Sequence, residues 1–420
     1  MANPTTIEIS PLAPKKFPNI KPVPGLRLCG QAVGLKSSGD KDLMIAELVK
    51  GTKIAGVMTN SRCPSAPVDW CRTILPEGRA RAIIVNSGNA NAFTGASGNK
   101  VVTSTVSRAS KLFNCNPNEV YIASTGVIGE PLLEDQIAEK LSKVVTRLSP
   151  TSWKSASEAI MTTDTFAKAA SVKTKIGSSE VVISGFAKGS GMIAPDMSTM
   201  LGFIFTNARL PAQVLQRLLR RAADSSFNSI TVDGDTSTSD TLFLCATGKN
   251  ARQKRILKSN DPDLKEFYNA LESVCINLAK QIVSDGEGAR KLITLNVSGA
   301  ESKRAARNIG LSVANSPLVK TAVAGEDPNW GRIIMAVGKA GEKADRDKLS
   351  INIGGIPITH KGERSIDYNE AIVASYMKNK NIEISLDVGV GRSKATVWTC
   401  DLTHKYISIN ADYRSLRSNV

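Results

Sequence analysis

The sequence predicts a mixed α/β protein (α+β in its element order) in which sheets and helices are packed in layers. The chain has 420 residues, 41% of them hydrophobic and 22% charged, which is enough for two or three globular domains. Apolar runs of strand length are interspersed with amphipathic segments of helix length. These elements do not keep the strict strand–helix–strand order of a fully parallel sheet, so separate layers of strands and helices are expected.

Breaker residues and apolar periodicity define the elements of the first 290 residues. The first 27 residues are rich in proline and are predicted to be irregular. Strands are predicted at residues 54–58, 82–85, 120–123, 180–186, 200–205 and 241–246. Helices are predicted at residues 100–113, 133–148, 151–161, 211–222 and 264–283. Proline marks the end of the second of these helices and the start of the fourth, at Pro150 and Pro211.

The pattern changes near residue 291, where a second unit is predicted to begin. Strands are predicted at residues 292–297, 349–353, 382–388 and 395–400. Helices are predicted near residues 316–323 and 370–377. We therefore predict a large layered domain over residues 1–290 and a smaller C-terminal α/β domain over residues 291–420.

The chain carries a formal net charge of +16, which raises the question of nucleic acid or acidic substrates. Its lysines and arginines are scattered, and only 5% of the residues are aromatic. No basic cluster is interleaved with aromatic side chains of the kind that stack on bases. A solvated basic surface is therefore the favoured interpretation, and no nucleic-acid partner is expected.

Cysteine usage indicates a reducing compartment. The seven cysteines are odd in number and include no Cys-x-x-Cys pair, which argues against a disulfide framework and against a zinc site. The first residues show no apolar core followed by a cleavage site, and no run of about 18 apolar residues occurs. We expect a cytoplasmic protein with neither a signal peptide nor a membrane span.

Histidine is rare, and this limits the mechanisms open to the chain. The only two histidines are His360 and His404, and both lie in hydrophilic, turn-like contexts typical of surface residues. A serine–histidine–aspartate triad or a histidine metal site would have to use one of them. If the protein carries out nucleophilic catalysis, the base is expected to be a group other than histidine.

A glycine- and serine-rich stretch near the middle of the chain carries the strongest chemical signal. It begins KGSGMIAP at residues 188–195 and ends in the hydroxyl pair Ser198–Thr199 before an apolar strand. The glycines resemble a dinucleotide fingerprint only loosely, because Pro195 and a strand follow instead of a helix.

The hydroxyl pair suits a self-cleavage reaction. A hydroxyl held against its preceding carbonyl can attack it, and hydrolysis then frees an N-terminal threonine. Its α-amine, with a pKa of roughly 7.7–8.0, can take the proton from its own hydroxyl. Ser-Thr before a strand also suits a plain hairpin entry.

Taken together, the motifs resemble those of the ornithine acetyltransferases, the glutamate N-acetyltransferases of arginine biosynthesis. The central stretch at residues 188–201 is similar to the self-cleavage signature of that family. The other matching motifs, in family order, are VNSGNANA at 85–92, STGVIG at 124–129, TTDT at 162–165, VDGDTST at 232–238, GEDPNWGR at 325–332 and INADYR at 409–414. The resemblance extends from about residue 12 to Ser415.

The resemblance implies the layered fold shared by ornithine acetyltransferases and self-cleaving aminopeptidases. It implies a precursor cut between Ser198 and Thr199, whose fragments, residues 1–198 and 199–420, assemble two of each. The family's cut usually follows alanine, and here it would follow Ser198. The implied reaction is ping-pong: Thr199 takes the acetyl group from N2-acetylornithine, ornithine leaves, and glutamate accepts the acetyl group.

Individual roles also follow from the resemblance. Thr199 would be the nucleophile, and Thr125 and Gly126 would form the oxyanion hole. The implied substrate-binding residues are Thr162, Lys188, Thr199, Glu287, Asn410 and Ser415. Charge supports two of them, since a substrate carboxylate suits Lys188 and the side-chain ammonium of ornithine suits Glu287. Without the resemblance, Lys188 would be interpreted as a surface lysine and Glu287 as a helix-end residue.

The resemblance implies no bound cofactor. It does not decide whether acetyl-CoA is used as a second acetyl donor. We assign no metal site, because Asp233, Asp235 and Asp240 lack the later acidic ligand of a calcium loop. No role is assigned to the motif at 325–332 or to the residues after Ser415. One alternative is a self-cleaving aminopeptidase or amidase that passes the acyl group to water. Another is a non-enzymatic basic protein that binds nucleic acid.

Overall fold

A computed structural model describes the chain at residues 8–194 and 200–411. Within these ranges it contains fifteen strands and eleven α-helices. The strands are β1 (Leu26–Gln31), β2 (Leu43–Leu48), β3 (Lys53–Met58), β4 (Ala82–Asn89), β5 (Val120–Val127), β6 (Lys168–Ile176), β7 (Ser179–Lys188), β8 (Leu201–Thr206), β9 (Thr241–Ala246), β10 (Leu292–Ala300), β11 (Ser350–Ile353), β12 (Ile356–His360), β13 (Glu363–Arg364), β14 (Asn381–Asp387) and β15 (Ser393–Cys400). The helices are α1 (Ala66–Ile74), α2 (Gly95–Leu112), α3 (Ala138–Val145), α4 (Trp153–Ala159), α5 (Ala212–Asp224), α6 (Lys265–Ser284), α7 (Lys303–Ala314), α8 (Pro317–Ala324), α9 (Trp330–Gly338), α10 (Glu370–Met377) and α11 (His404–Ala411).

The strands of the described ranges form three sheets. The first sheet has the order β1-β2-β4-β5, and its β4–β5 pair is parallel. The central sheet has the order β3-β9-β8-β7-β6, with β8 and β9 parallel to each other. The C-terminal sheet has the order β13-β12-β11-β14-β10-β15 and uses only strands that follow α6. The central sheet combines β3, from the N-terminal part of the chain, with four strands from residues 168–246.

The first and central sheets pack face to face through an aromatic core. Phe186, Phe203 and Phe243 of the central sheet are buried there, together with Tyr121 of the first sheet. The ring centroids of Tyr121 and Phe243 lie 5.2 Å apart, edge to face, which is a favourable arrangement for aromatic pairs. Because side chains alternate along a strand, Ile204 points to the opposite face and packs with α5 and α6.

Helices cover the outer face of each of these sheets. Val106 of α2 and Leu141 of α3 pack with Ile45 and Ile84 on the outside of the first sheet. The apolar stripes of α5 and α6 cover the outside of the central sheet. The result is a four-layer arrangement of helix, sheet, sheet and helix, which confirms the predicted layered α/β class.

Most predicted elements are present, with bounds that differ by a few residues. β9 matches its predicted range, and α6 starts and ends one residue later than expected. The predicted helix over 133–148 is wrong in extent, since only Ala138–Val145 is helical. Leu133, the first residue of its apolar stripe, is 76% exposed, so the stripe begins outside the core. Likewise α4 begins at Trp153, after the expected cap at Thr151.

The C-terminal sheet has its own core with α7 to α10. Strand β10 lies between β14, which is parallel to it, and β15, which is antiparallel. Leu292, Trp398 and Cys400 of this sheet also pack in the core around α6. The division at residue 290 stays a prediction.

Candidate active site

Lys188, the last residue of β7, lies at the centre of a group of buried charged residues. It is 2% exposed, so its interpretation as a surface lysine is wrong. Its positive charge acts on three buried carboxyl groups, those of Asp164, Asp240 and Glu287, and opposes the rise in pKa that burial causes in each of them. These carboxyl groups come from three distant parts of the chain and meet at the end of one strand.

The segment that follows Lys188 is fixed by contacts to two loops. The N–H of Glu287 donates to the carbonyl of Ser190 at 2.9 Å. The carboxylate of Asp233 accepts the N–H groups of Met192 and Ile193 at 2.7 and 2.9 Å. A carboxylate that accepts two successive backbone N–H groups holds the chain in one conformation. The approach to the hydroxyl pair is therefore fixed as far as Ile193.

The far side of the hydroxyl pair is fixed as well. The N–H of Met200 donates to Asp240 Oδ1 at 2.7 Å, and the carbonyl of Met200 accepts from Thr241 at 3.0 Å. From Leu201 onward the chain is part of β8 in the central sheet. Ser198 and Thr199 lie outside the described residues, as does Ser415. The cleavage site and the roles of these three residues stay predictions.

Glu287 lies in a loop after α6 and is 8% exposed. Asn410 of α11 donates its side-chain N–H to Glu287 Oε2 at 2.8 Å. On the other side, a β-carbon added to Gly191 would lie 2.5 Å from the Glu287 carboxyl carbon, so only glycine leaves room for this carboxylate. We call Lys188, Thr163, Glu287 and Asn410 the Glu287 cluster, since Thr163 also hydrogen bonds to Glu287.

The turn that contains Thr162 lies beside this cluster. Thr162 is half-buried, and its N–H donates to Asp164 Oδ2 at 2.9 Å. The hydroxyls of Thr163 and Ser190 lie 2.6 Å apart and form a hydrogen bond. The turn is thereby joined to the segment after Lys188, and Thr162 is brought to the same region as Glu287.

A fully buried ion-pair network supports the turn, and sequence reasoning missed it. Lys168 Nζ lies 2.7 Å from Asp164 Oδ1 and 2.5 Å from Asp285 Oδ2. Asp164 Oδ1 also accepts the N–H of Gly189 at 2.7 Å. The network therefore connects β6, the end of α6 and the start of the central stretch. No sequence signal identifies it, because Asp285 is 117 residues from Lys168.

Thr125 and Gly126 lie near the end of β5, where it runs parallel to β4. Thr125 is 4% exposed, and Gly126 has a φ of 135°, a conformation that other residues rarely adopt. A β-carbon on Gly126 would lie 2.2 Å from the carbonyl carbon of Gly88. Next to the pair, Ser124 donates to Asn86 Oδ1 at 2.5 Å, so this strand end is polar and closely packed.

The structure brings Thr162, Lys188, Glu287 and Asn410 together. Thr125 and Gly126 lie on β5 of the first sheet, whereas Lys188 ends β7 of the central sheet. Ser87, which pairs with Thr125 in the sheet, connects the two regions through a hydrogen bond from its hydroxyl to the carbonyl of Ala159 at 2.7 Å. Ala159 ends α4, just before the turn with Thr162.

The electrostatics of the site are dominated by burial. Burial raises the pKa of Glu287, and the hydrogen bonds from Thr163 and Asn410 act against this. Burial also raises the pKa of Asp233, and it raises that of Asp240 well above its usual range. Asp164 is different: burial opposes its charge, but Lys168 and Lys188 outweigh burial and hold its pKa below the ordinary value. Such shifted carboxyl groups are typical of functional sites.

His360 and His404 are both exposed, as predicted. In residues 8–194 and 200–411, no group of three or more histidine, cysteine, aspartate or glutamate side chains is arranged to hold a metal ion. The helices of these same ranges are all too short or too polar to cross a membrane.

Fold and site together define a layered α/β protein that buries a lysine and several carboxyl groups around a glycine-rich segment. The sequence matches the ArgJ family over residues 27–415. It is 53% identical over 409 residues to the arginine biosynthesis bifunctional protein ArgJ of Mesorhizobium japonicum, covering 97% of this chain and 99% of that protein. The protein of the same name from Bradyrhizobium diazoefficiens is 51% identical over 409 residues, with the same coverage of both chains. A crystal structure of arginine biosynthesis bifunctional protein ArgJ from Bacillus halodurans is 39% identical, with a TM-score of 0.49, and covers 51% of this chain and 100% of its own.

The chain belongs to the ArgJ family of arginine-biosynthesis enzymes. This confirms the family resemblance inferred from the motifs and the prediction of an acyltransferase. It also excludes the alternative of a non-enzymatic basic binding protein.

Proposed function

We propose that this enzyme moves the acetyl group from N2-acetylornithine to glutamate through an acetyl-threonine intermediate on Thr199. We further propose that the chain first cuts itself between Ser198 and Thr199. The observation that supports both proposals most directly is the anchoring on either side of this pair. Asp233 holds the backbone at Met192 and Ile193, and Asp240 holds it at Met200. A chain end created between two such anchors would be positioned and not frayed.

The proposed cut needs no group beyond the chain and water. The Thr199 hydroxyl oxygen attacks the carbonyl carbon of Ser198, the C–N bond between the two residues breaks, and the hydroxyl proton ends on the freed amine. Water then hydrolyses the resulting ester and leaves a carboxylate on Ser198. Thr199 becomes an N-terminal residue with its own amine as the base.

The same threonine would then carry the acetyl group. Its oxygen attacks the acetyl carbonyl of N2-acetylornithine, and its amine takes the hydroxyl proton and passes it to the departing ornithine nitrogen. The hydroxyl of Thr125 and the N–H of Gly126 are the proposed donors to the oxyanion. Glutamate then attacks the acetyl-threonine through its amine, which restores the free enzyme.

The Glu287 cluster supplies a binding site for a substrate that carries both charges. A buried carboxylate with a raised pKa gains most from a cationic partner, so Glu287 suits the side-chain ammonium of ornithine. Asn410 orients that carboxylate. Lys188 is the proposed partner of the substrate carboxylate, and Thr162 and Ser415 are proposed to make polar contacts.

The proposed transfer uses no bound cofactor, because Thr199 supplies both nucleophile and base. The relatives are named bifunctional, and acetyl-CoA as a second acetyl donor to glutamate is the matching proposal for this chain. We also propose that residues 1–198 and 199–420 assemble two of each. All seven cysteines are free, which suits the proposed cytoplasmic location.

Intact-mass analysis after a brief incubation with N2-acetylornithine tests the proposal. We expect two fragments, residues 1–198 and 199–420, with one acetyl group on the second. Addition of glutamate should remove that acetyl group and yield N-acetylglutamate. Release of acetate in place of N-acetylglutamate would instead support the hydrolase alternative. An uncut chain with full transfer activity would contradict the proposed nucleophile.

A further inference from the structure

Asp240 is the last residue before β9 and is completely buried. Its Oδ1 accepts the N–H of Met200 at 2.7 Å. Its other carboxyl oxygen, Oδ2, is buried and has no hydrogen-bond partner among the described residues. A buried polar atom without a partner typically costs about 1–3 kcal/mol, so a carboxyl group here needs a reason beyond packing.

The sheet register places Asp240 beside the first residue of β8. Leu201 pairs with Lys188 of β7 on one side and with Thr241 of β9 on the other. The start of β8 is therefore flanked by Lys188 and by the strand end that carries Asp240. The effect of the Lys188 charge on the pKa of Asp240 agrees with this arrangement.

Met200 is held at both of its backbone groups by this strand end. Asp240 accepts its N–H, and the N–H of Thr241 donates to its carbonyl. The carbonyl of Asp240 in turn accepts from Thr59, which fixes Asp240 against the neighbouring loop. Met200 is joined by a peptide bond to Thr199, so whatever fixes the Met200 nitrogen limits where Thr199 can lie.

We propose that Asp240 is a positioning residue for the reaction of Thr199 and acts through the N–H of Met200. This inference rests on the proposed function, because it takes Thr199 as the nucleophile. After the proposed cut, Thr199 is a chain end one residue from the sheet, and chain ends are poorly ordered unless they are tied down. The hydrogen bond to Asp240 ties down the peptide group that carries the nucleophile. A misplacement of about 1 Å at such a group can cost about 100-fold in rate.

The test compares three substitutions of Asp240 with a matched control. Asp240→Ala removes the acceptor, and Asp240→Ser keeps a polar group that is too short to reach the same N–H. Asp240→Asn keeps an amide oxygen in the place of Oδ1. Asp401→Ala is the control, because Asp401 is 2% exposed and accepts two backbone N–H groups through Oδ1. In the described part of the chain, its Oδ2 makes no hydrogen bond and has only the ion pair with Arg290 Nε at 3.8 Å.

The readouts are the extent of the cut by intact mass, and kcat and KM for N2-acetylornithine. The turnover rate is divided by the amount of the 199–420 fragment that can be acetylated, so that unfolded protein does not lower the measured kcat. For Asp240→Ala and Asp240→Ser we expect slower cutting and a kcat that is about 10- to 100-fold lower, with KM within about twofold of wild type. Asp240→Asn should restore kcat to within a few-fold, and Asp401→Ala should leave it unchanged.

The inference would be overturned if Asp240→Ala showed a normal kcat per acetylated fragment. If the alanine variant does not fold, the same result in Asp240→Ser would overturn it. So would an equal loss in Asp401→Ala, or a rise in KM in place of the fall in kcat. Wild-type protein that is neither cut nor acetylated would instead refute the proposed function itself. The two failures are therefore distinguishable in one set of measurements.

Discussion

Replacing Gly191 with alanine tests the proposed role of Glu287 through a single added methyl group. The new β-carbon would lie 2.5 Å from the carboxyl carbon of Glu287 and 2.5 and 2.6 Å from its two oxygens. Non-bonded carbon atoms prefer separations of about 3.5–4.0 Å, so the carboxylate must move by about 1 Å. The displaced group is the end of a side chain, and we expect the fold to survive with a loss of about 1–3 kcal/mol in unfolding free energy.

The displacement should weaken substrate binding more than it weakens the fold. It separates the carboxylate from Asn410, whose hydrogen bond of 2.8 Å orients it. A hydrogen bond from a charged group is worth about 1.5–3 kcal/mol, and about 1.4 kcal/mol is a factor of ten in affinity. We therefore expect KM for N2-acetylornithine to rise about 10- to 100-fold, with a smaller change in kcat.

Steady-state kinetics and thermal unfolding of Gly191→Ala measure these effects. Gly338→Ala is the matched control, because a β-carbon at Gly338 in α9 would meet no atom within 4 Å. This control should be neutral or slightly more stable, as is usual for such substitutions. A wild-type KM in Gly191→Ala would refute the reasoning that the Glu287 carboxylate binds the substrate.

Three further substitutions test other parts of the site. Thr125→Ala should fold normally but lower kcat by about 10²–10³-fold through loss of one oxyanion donor, and unchanged kinetics would remove Thr125 from that role. Lys168→Met leaves the carboxylates of Asp164 and Asp285 buried without the Lys168 ammonium. Urea unfolding should show a loss of about 3–5 kcal/mol in unfolding free energy. A loss below about 1 kcal/mol would show that the network is not needed for stability. Asp164→Asn tests pH dependence: against burial, Lys168 and Lys188 hold the pKa of Asp164 below its ordinary 3.8, so the unfolded chain takes up the proton first. The stability advantage of wild type over Asp164→Asn should be fully present above pH 3.8, the ordinary pKa of the carboxyl group in the unfolded chain, and should shrink as the pH falls below that value. A constant difference in urea unfolding over about pH 2–6 would contradict this prediction.

The elements that could be predicted from the sequence are those with a complete apolar pattern. Every residue of β9 is buried, so its apolar run ends where the strand ends. The long apolar stripe of α6 faces the core, and its bounds shift by only one residue. The apolar stripe over 133–148 predicted too long a helix, because periodicity shows where apolar residues occur but not which of them are buried. Leu133 belongs to this stripe and is nevertheless exposed.

The site could be predicted only in part. Motif resemblance identified Lys188 and Glu287, but neither spacing nor composition indicates that Lys188 is buried. Its burial depends on carboxyl groups from distant elements, among them Asp164 and Asp240, which meet only in the folded chain. In the sequence, Asp240 was only one of three aspartates considered for a calcium loop, and its contact with Met200 depends on the parallel pairing of β8 and β9.

The central claim is that Thr199 becomes a chain end and acts there as nucleophile and base. N-terminal sequencing of catalytically active, purified protein tests this claim most directly. We predict two N-termini, one of which reads Thr-Met-Leu-Gly, and only one N-terminus in an inactive Thr199→Ala variant. Active protein with a single N-terminus, or a Thr199→Ala variant that still transfers acetyl groups, would contradict the account.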